Sequence, residues 1–346
     1  MAHVFGPVPS RRLGRSLGVD PIPFKTCNWS CVYCQLGRTA PMKVQREVFC
    51  PPDEVIQEVK AALKERGPDE IDWITFVGSG EPTLHADLGR MISAVKALTD
   101  IPVAVITNGS LLHLPSVREA LLPADAVLPS LDAGTADLYR RINRPAKTLT
   151  FDRLIEGLAA FRSAYQGKLW IEVMLIRGLN DSAEALAALA EVLGRIGPDE
   201  VHLALPTRPP AEAWVEPADD EGIRRAVELL GGLAHLVPPP AGEFDLSGCR
   251  DVTEAVLAVI RRHPMEEREV MEALRRWTPR EVEDALREVA ASGRAQLVER
   301  YGRRFWSDAG AQYIEEARCA APASSRSNEP PKQKKTNGRS RGKPAG

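Results

Sequence analysis

The sequence predicts an α/β protein: an open, partial (β/α)6 TIM-like barrel followed by a small C-terminal winged-helix-like α+β domain. Between residue 52 and about residue 231, stretches with helical periodicity alternate with short β-branched runs, which is typical of a parallel sheet covered by helices. About six such units are present, too few for a closed barrel of eight. A segment rich in Pro and Gly then ends the alternation, and a second, smaller pattern follows it.

The strands are predicted where apolar, β-branched runs occur. They lie near residues 16–23, 71–77, 102–107, 125–131, 169–176 and 200–205. The helices are predicted where apolar residues recur three and four positions apart. They cover residues 52–66, 84–98, 115–122, 151–165, 183–196 and 218–231. This alternation of strand and helix predicts that neighbouring strands are parallel.

The barrel and the small domain are separated by a predicted linker. Residues 1–237 form the predicted core, and residues 238–248, which are rich in Pro and Gly, form the linker. Residues 249–318 form the small domain, in which an alternating pattern turns at Tyr301 and Gly302, as in a hairpin. Three short helices precede this hairpin, at residues 251–263, 266–277 and 279–291. Three helices followed by a β-wing resemble a winged-helix domain.

The last segment, residues 319–346, differs from the rest of the chain in composition. It is poor in apolar residues and rich in Ser, Pro, Gly and Lys, so we predict a disordered tail. Residues 320–346 carry seven Lys or Arg and one Glu; with a net charge of -2 overall, this tail is +6 and the remainder -8. A polybasic tail suits contact with RNA, although a tail that only keeps the protein in solution has the same composition.

Cysteine content and hydropathy indicate the compartment. The chain of 346 residues has six cysteines, too few for a disulfide-stapled secreted scaffold. No apolar stretch resembles a signal peptide or approaches the roughly 20 residues of a membrane span. We therefore expect a cytoplasmic protein without membrane contact.

Three cysteines carry the strongest chemical signal. Cys27, Cys31 and Cys34 form a C-x3-C-x2-C run directly after the first predicted strand. Three thiolates this close suit either a zinc site with a fourth ligand from elsewhere or a four-iron cluster with one open iron. The other cysteines are single and scattered: Cys50, Cys249 and Cys319. Because no second paired ligand motif is present, the spacing favours the cluster.

With Tyr33 at the aromatic position before the last cysteine, this motif resembles that of the radical S-adenosylmethionine (radical SAM) enzymes, over about residues 10–235. The resemblance implies that the three thiolates hold one [4Fe-4S] cluster and that SAM chelates its fourth iron. It further implies reductive cleavage of SAM to a 5'-deoxyadenosyl radical, which abstracts hydrogen from a substrate. An electron donor such as ferredoxin or flavodoxin is the implied partner.

A glycine-rich turn at the end of the second predicted strand is the next candidate. It consists of Gly78, Ser79, Gly80 and Glu81. Glycines permit close approach of the backbone to a ligand, and a carboxylate there can bind an ammonium group. The turn resembles the family's GGE-type motif, which binds the amino group of SAM, with Ser79 in place of the middle glycine.

Four polar residues at later strand ends are further candidates for contact with SAM. Asn108 closes the third strand, and capping a loop is an equally good role for it. Ser130 and Asp132 close the fourth strand, where the family commonly binds the ribose or carboxylate of SAM. Asn180 closes the fifth strand, where the family contacts the adenine, but an Asn there also suits capping of the next helix.

The substrate stays unassigned at this stage. The stretches 10–14 and 16–18 resemble a radical SAM group related to the tRNA wyosine synthases, which makes RNA modification a candidate reaction. Those synthases resemble two-cluster enzymes with an upstream cysteine triad, whereas no cysteine precedes Cys27. A second cluster of that kind is therefore excluded. A basic loop is also present. Its arginines suit binding of a phosphate or carboxylate group of the substrate, or they form salt bridges on the surface. It contains Arg140, Arg141 and Arg144.

Two other classes of function fit parts of the sequence. One is an iron-sulfur sensor or nucleic-acid-binding regulator that uses the winged-helix-like domain. Its third predicted helix, residues 279–291, carries four acidic residues against two arginines, which argues against contact with phosphates. The other is plain electron transfer without SAM, a function for which the glycine-rich turn and the barrel are superfluous.

Overall fold

The computed structural model describes residues 3–238, 244–246 and 248–315. Contacts between residues place Met1–Glu315 in one compact unit. The predicted basic tail, residues 319–346, lies outside the described residues, as does more than half of the predicted linker, residues 238–248. The helices that the structure describes include none long and apolar enough to cross a membrane.

An eight-stranded sheet forms the centre of this unit, with its strands in the order of the chain. β1 (Val4–Ser10) and β2 (Gly14–Val19) are antiparallel, and from β2 onward every neighbouring pair is parallel. The later strands are β3 (Trp73–Phe76), β4 (Val103–Thr107), β5 (Ala126–Pro129), β6 (Lys168–Met174), β7 (Glu200–Ala204) and β8 (Ala234–Leu236). Within the described part of the chain β8 does not pair with β1, so the predicted open, partial barrel is confirmed.

Helices follow the strands and cover the outside of the sheet. They are α1 (Pro52–Glu65), α2 (Leu88–Lys96), α3 (Pro115–Leu121), α4 (Ala136–Ile142), α5 (Phe151–Ala164), α6 (Ala183–Ile196) and α7 (Asp220–Leu230). Local sequence sets several of their ends. Ser182 caps the start of α6 by accepting a hydrogen bond from the amide of Ala185, and Gly197 ends that helix with a φ of 68°.

Alternation along the strands divides the core into two layers. In β4, Val103 and Val105 face the helices, whereas Ala104 and Ile106 face the barrel interior. The interior cluster also contains Leu13, from the turn between β1 and β2. Because several interior positions carry small side chains, such as Ala104, Ala126 and Ala204, the barrel retains space toward the carboxyl ends of its strands.

The remaining elements form a small α+β segment. They are α8 (Val252–Ile260), β9 (Met265–Glu266), α9 (Glu267–Ala273), α10 (Pro279–Ala291), β10 (Ala295–Arg300) and β11 (Arg303–Asp308). The strands form an antiparallel sheet in the order β10-β11-β9, and a separate apolar cluster lies between the helices and this sheet. The three helices and the hairpin match the predicted elements, whereas the domain boundaries and the winged-helix likeness stay predictions.

This segment contacts the loop that contains the cysteines. The Gln35 side-chain amide donates to the carbonyl of Arg262 over 2.8 Å, and the Tyr313 hydroxyl donates to the carbonyl of Gln35 over 2.6 Å. The amide of Arg38 donates to the carbonyl of Gln312 over 2.6 Å. The loop is therefore fixed from two sides, by the barrel and by the end of the described chain.

Candidate functional site

The cysteine loop follows β2 at the carboxyl ends of the parallel strands, and backbone hydrogen bonds hold it there. The amide of Lys25 donates to the carbonyl of Ser79 over 2.6 Å, which ties the loop to the glycine-rich turn after β3. The amide of Val32 donates to the carbonyl of Ile142 over 2.9 Å, which ties it to the end of α4. These contacts bring all three thiols to one cavity.

Each thiol lies beside an N–H donor. The sulfur of Cys27 is 3.5 Å from the amide nitrogen of Trp29. The sulfur of Cys31 is 3.7 Å from the Asn143 side-chain nitrogen, and Lys25 Nζ is 3.3 Å from the sulfur of Cys34. Donors of this kind stabilise negatively charged sulfur and tune iron–sulfur clusters. The donor set therefore fits thiolates that carry a metal cluster.

Burial disfavours ionisation of these thiols when no metal is bound. Burial, with the nearby Glu81 as a second cause, raises the pKa of Cys27 to about 12. Burial and the neighbouring Cys34 likewise raise the pKa of Cys31 well above its ordinary value. A bound cation reverses this preference, because it supplies the positive charge that a buried thiolate lacks.

The spread of the sulfur atoms distinguishes a cluster from a single ion. Two sulfurs bound to one tetrahedral zinc ion, each at about 2.3 Å, lie roughly 3.8 Å apart. Among the residues that the structure describes, the three sulfur atoms do not all lie within 4.8 Å of one another. The potential ligand atoms of Glu200, His202 and His235 do lie that close together. In this conformation the three sulfur atoms therefore do not converge on a single ion.

The glycine-rich turn supports the cysteine loop directly. A Cβ atom on Gly80 would overlap the carbonyl of Thr26, so glycine is required there for the close approach of two chain segments. The Ser79 hydroxyl donates to Asp20 over 2.7 Å, and Gly78 also lines the cavity. Glu81 lies at the end of the turn and also lines this cavity.

Glu81 is buried, and hydrogen bonds surround its carboxylate. Oε1 accepts from both the amide and the hydroxyl of Thr83 and from the hydroxyl of Thr107. Oε2 accepts from the amide of Asn108 over 2.7 Å. Burial raises the pKa of Glu81, and these donors oppose that shift. Because Oε2 receives a single donor, it retains acceptor capacity for a ligand ammonium group.

Asp132 joins the cysteine motif to the end of β5. Its carboxylate accepts from the hydroxyl of Tyr33 over 2.6 Å, from the side-chain amide of Asn143 over 2.6 Å and from the amide of Met174 over 2.8 Å. Burial, with Asp132 as the second cause, raises the pKa of Tyr33 well above its ordinary value. Ser130 lies on the cavity wall beside Asp132.

The structure brings most of the predicted site residues together. All three cysteines and eight of the polar or glycine candidates line one cavity of about 460 Å³. With Asp132 they are Tyr33, Gly78, Ser79, Gly80, Glu81, Asn108 and Ser130. Asn180 does not line this cavity. The side-chain nitrogen of Asn180 donates to the carbonyls of Asp132 and Met174, and its side-chain oxygen accepts from the backbone amide of Ile176. Its polar atoms are therefore used in hydrogen bonds with the backbone.

Sequence reasoning missed three buried polar residues of the site. Asn143 donates to Cys31 and to Asp132, and Asp20 accepts a hydrogen bond from the hydroxyl of Ser79. Asn28 accepts from the side chain of Asn108 over 2.7 Å and is fully buried. Asn28 is a polar residue inside the cysteine motif, which was an available signal, whereas no local pattern distinguishes Asn143.

Comparisons with known proteins agree with this geometry. A family model described as the radical SAM superfamily matches residues 22–190. UPF0026 protein MJ1312 of Methanocaldococcus jannaschii is 37% identical over 280 residues, which cover 79% of this chain and 86% of that protein. GTPase Obg of Brachyspira hyodysenteriae is 46% identical over 224 residues, and the match spans 65% of this chain but one third (33%) of that protein.

Two weaker likenesses extend the comparison. The probable dual-specificity RNA methyltransferase RlmN of Bifidobacterium adolescentis is 25% identical over 225 residues, 59% of this chain and 55% of that protein. The crystal structure of a radical SAM methyltransferase from Sphaerobacter thermophilus matches with a TM-score of 0.49 and 20% identity, over 64% of this chain and 66% of that one.

Proposed function

The chain belongs to the radical SAM superfamily, whose members use a [4Fe-4S] cluster and S-adenosylmethionine, and we propose that it generates a substrate radical by this route. A [4Fe-4S] cluster held by Cys27, Cys31 and Cys34 would supply one-electron reductive cleavage of SAM into methionine and a 5'-deoxyadenosyl radical, which would take a hydrogen atom from the substrate. The protein contributes binding, orientation and exclusion of water.

One observation carries this proposal. Three thiols, each beside an N–H donor, share a cavity with the carboxylates of Glu81 and Asp132. A cluster needs the thiols, and an amino acid cofactor with an adenosyl group needs polar atoms and enclosed space beside them. A plain electron-transfer site would need neither the carboxylates nor the cavity.

The residues divide into two roles under this proposal. Cys27, Cys31 and Cys34 hold the cluster, and the donors beside them stabilise its charge. The groups that face the same cavity bind and orient SAM, with Glu81 Oε2 as acceptor for its ammonium group. The remaining contacts come from Tyr33, Gly78, Ser79, Asn108, Ser130 and Asp132, of which Asp132 also holds Tyr33 in place.

We further propose RNA as the substrate. The name of one relative denotes an RNA methyltransferase, and the predicted tail of the chain carries a charge of +6. Both features support RNA binding. A ferredoxin or flavodoxin is the proposed electron donor.

The proposal is tested by anaerobic reconstitution of the purified protein with iron and sulfide. We expect SAM to change the electron paramagnetic resonance spectrum of the reduced cluster and dithionite to cause release of 5'-deoxyadenosine. Cys31→Ala should abolish both, with iron content well below that of the wild type. Cys249→Ala, which removes a thiol from the separate apolar cluster of the C-terminal segment, is the matched control and should retain both.

Two results would overturn the proposal. An unchanged cluster spectrum in saturating SAM would indicate a sensor or an electron carrier. Full iron content in Cys31→Ala would show that this residue is not a ligand.

A further inference from the structure

Three potential metal ligands lie together on the last two strands of the barrel. They are Glu200 and His202 of β7 and His235 of β8. Their ligand atoms all lie within 4.8 Å of one another, and the described part of the chain contains no other group of three such residues. None of the three lines the cavity that contains the thiols. The group therefore belongs to a different site.

The register of the sheet brings these side chains together. β7 and β8 are parallel, and His202 and His235 are paired across them. Glu200 precedes His202 by two residues on the same strand, so both side chains lie on one face of the sheet. The ring of His202 lies 5.4 Å from that of Trp170, a member of the interior cluster of the barrel. The group is thus built on rigid strands and not on a loop.

The distances within the group match those of a mononuclear metal site. Oε2 of Glu200 lies 3.0 Å from Nε2 of His202 and 3.7 Å from Nε2 of His235. Two nitrogen or oxygen ligands of one tetrahedral zinc ion, each at about 2.0–2.1 Å, lie roughly 3.4 Å apart. The observed distances lie on either side of this value, so small side-chain rotations suffice to place one ion between the three atoms.

The three side chains differ in exposure in a way that suits an ion entering from solvent. His202 is 3% exposed, whereas the side chains of Glu200 and His235 are 43% and 52% exposed. The Nδ1 atom of His202 is buried, so this ring binds through Nε2, the atom that already contacts Glu200. Packing therefore fixes one ligand, and the two exposed ligands are free to close over the ion.

The donor set indicates the class of metal. Two imidazoles and one carboxylate bind Zn²⁺ in sites that keep a fourth position for water. Ca²⁺ and Mg²⁺ prefer oxygen ligands throughout, so two imidazoles disfavour them. Glu200 supplies a negative charge to the site. The positive charge of Arg12, which acts on His202, is neutralised by the ion pair of Arg12 with Glu172.

We propose that Glu200, His202 and His235 bind one Zn²⁺ ion, with water as the fourth ligand. The ion joins β8 to β7 through side chains in addition to the backbone. This link matters because β8 is the last strand of the sheet and has three residues. The site is separate from the cysteine loop, and the proposal does not depend on radical chemistry there.

The test measures zinc bound by the full-length protein after reconstitution of its cluster, so that iron occupies the thiols. A chelating resin first removes loosely bound metal. Mass spectrometry after equilibrium dialysis against Zn²⁺ then gives zinc and iron per chain. We expect one zinc ion per chain in addition to the iron. Its K-edge X-ray absorption spectrum should show nitrogen and oxygen neighbours at about 2.0–2.2 Å, without sulfur at about 2.3 Å.

Variants of the two exposed ligands separate zinc binding from folding. His235→Ala and Glu200→Gln should each weaken zinc binding by about a hundredfold or more, because each removes one of three protein ligands. His3→Ala is the matched control. Nδ1 of His3 lies 2.9 Å from Oε1 of Glu58, and no third ligand joins this pair among the described residues. His3→Ala should therefore bind zinc as the wild type does.

The link between the two strands has its own readout. Zinc should slow hydrogen–deuterium exchange at residues 234–236 in the wild type and leave it unchanged in His235→Ala.

Three results would overturn the proposal. The first is equal zinc content in the wild type and His235→Ala. The second is sulfur as the main neighbour of the zinc, which would place the ion at the thiols. The third is exchange at residues 234–236 that zinc does not alter in the wild type, because an ion held by both strands restricts their separation.

Discussion

Asp132 shows how single residues constrain the site. Its side chain is 2% exposed and accepts hydrogen bonds from Tyr33, Asn143 and Met174. Burial nevertheless raises its pKa to about 6, because these donors do not fully replace the lost water. Through Tyr33 and Asn143 this one carboxylate contacts both the cysteine motif and a donor to Cys31.

The raised pKa of Asp132 predicts a pH dependence of stability. Between about pH 4 and pH 6 the folded protein binds more protons at this carboxyl than the unfolded chain, so its contribution to stability falls as pH rises. Asp132→Asn has no titrating group at this position, so its stability does not include this decrease with rising pH. We therefore expect the free energy of unfolding of the variant, relative to wild type, to increase by roughly 3 kcal/mol from pH 4 to pH 7.

Urea denaturation of the metal-free protein at several pH values measures this difference. Asp137→Asn is the control, because Asp137 is exposed and contacts surface arginines. A difference between Asp132→Asn and wild type that does not change with pH would contradict the raised pKa.

Sequence predicted the site residues that belong to a local pattern. Spacing identified the cysteines, and the position of a turn after a strand identified Glu81. Asn143 is 112 residues from Cys31 in the chain, so its role depends on tertiary structure.

At the scale of elements, the turn after β3 acts as a support for the cysteine loop. The amide of Glu81 donates to the carbonyl of Thr26 over 2.9 Å, and Gly80 leaves no space for a Cβ atom at this contact. The two segments with the clearest sequence motifs are thus packed against each other through their backbones.

This packing predicts the effect of a single methyl group. Gly80→Ala should displace the loop at Thr26 and lower the iron content after reconstitution, because the obstructing atoms belong to the backbone. Gly194→Ala in α6 is the matched change: a Cβ there meets open space, so we expect unchanged iron content and a gain in stability of up to ~1 kcal/mol. Equal iron content in both variants would contradict the role of Gly80.

Elements were predicted where the sequence had a long enough periodic signal. The six predicted strands correspond to β2 through β7, because their apolar runs are flanked by clear helices. β1 was missed because it contains two prolines and a glycine, and β8 because it has three residues, of which His235 and Leu236 are exposed. The seven-residue α4 was not predicted, although α3, of the same length, was.

At the scale of the whole molecule, the end of the described chain closes on the cysteine loop. Gly37 forms an isolated bridge with Gln312, and Ile314 donates to the carbonyl of Ala211 over 2.8 Å. Gly37 has a φ of 77°, and a Cβ atom there would overlap the backbone of Gln312. This contact thus depends on one glycine.

We expect Gly37→Ala to release the segment around Gln312. Hydrogen–deuterium exchange should increase at residues 309–315 and at the amide of Arg38, which donates to Gln312. Gly178→Ala is the control, because Gly178 has a similar φ of 69° but open space around it. If both variants accelerate exchange at residues 309–315 equally, backbone strain and not the contact would be the cause.

The bond between Tyr313 and Gln35 joins residues 278 positions apart. During translation the cysteine triad therefore leaves the ribosome long before the segment that closes over its loop has been made. On the nascent chain the loop therefore lacks the contacts that Gln312 and Tyr313 make with it in the finished chain. We expect delivery of iron and sulfide to be easiest while translation is still in progress, so the rate of synthesis would itself influence how many molecules acquire a cluster.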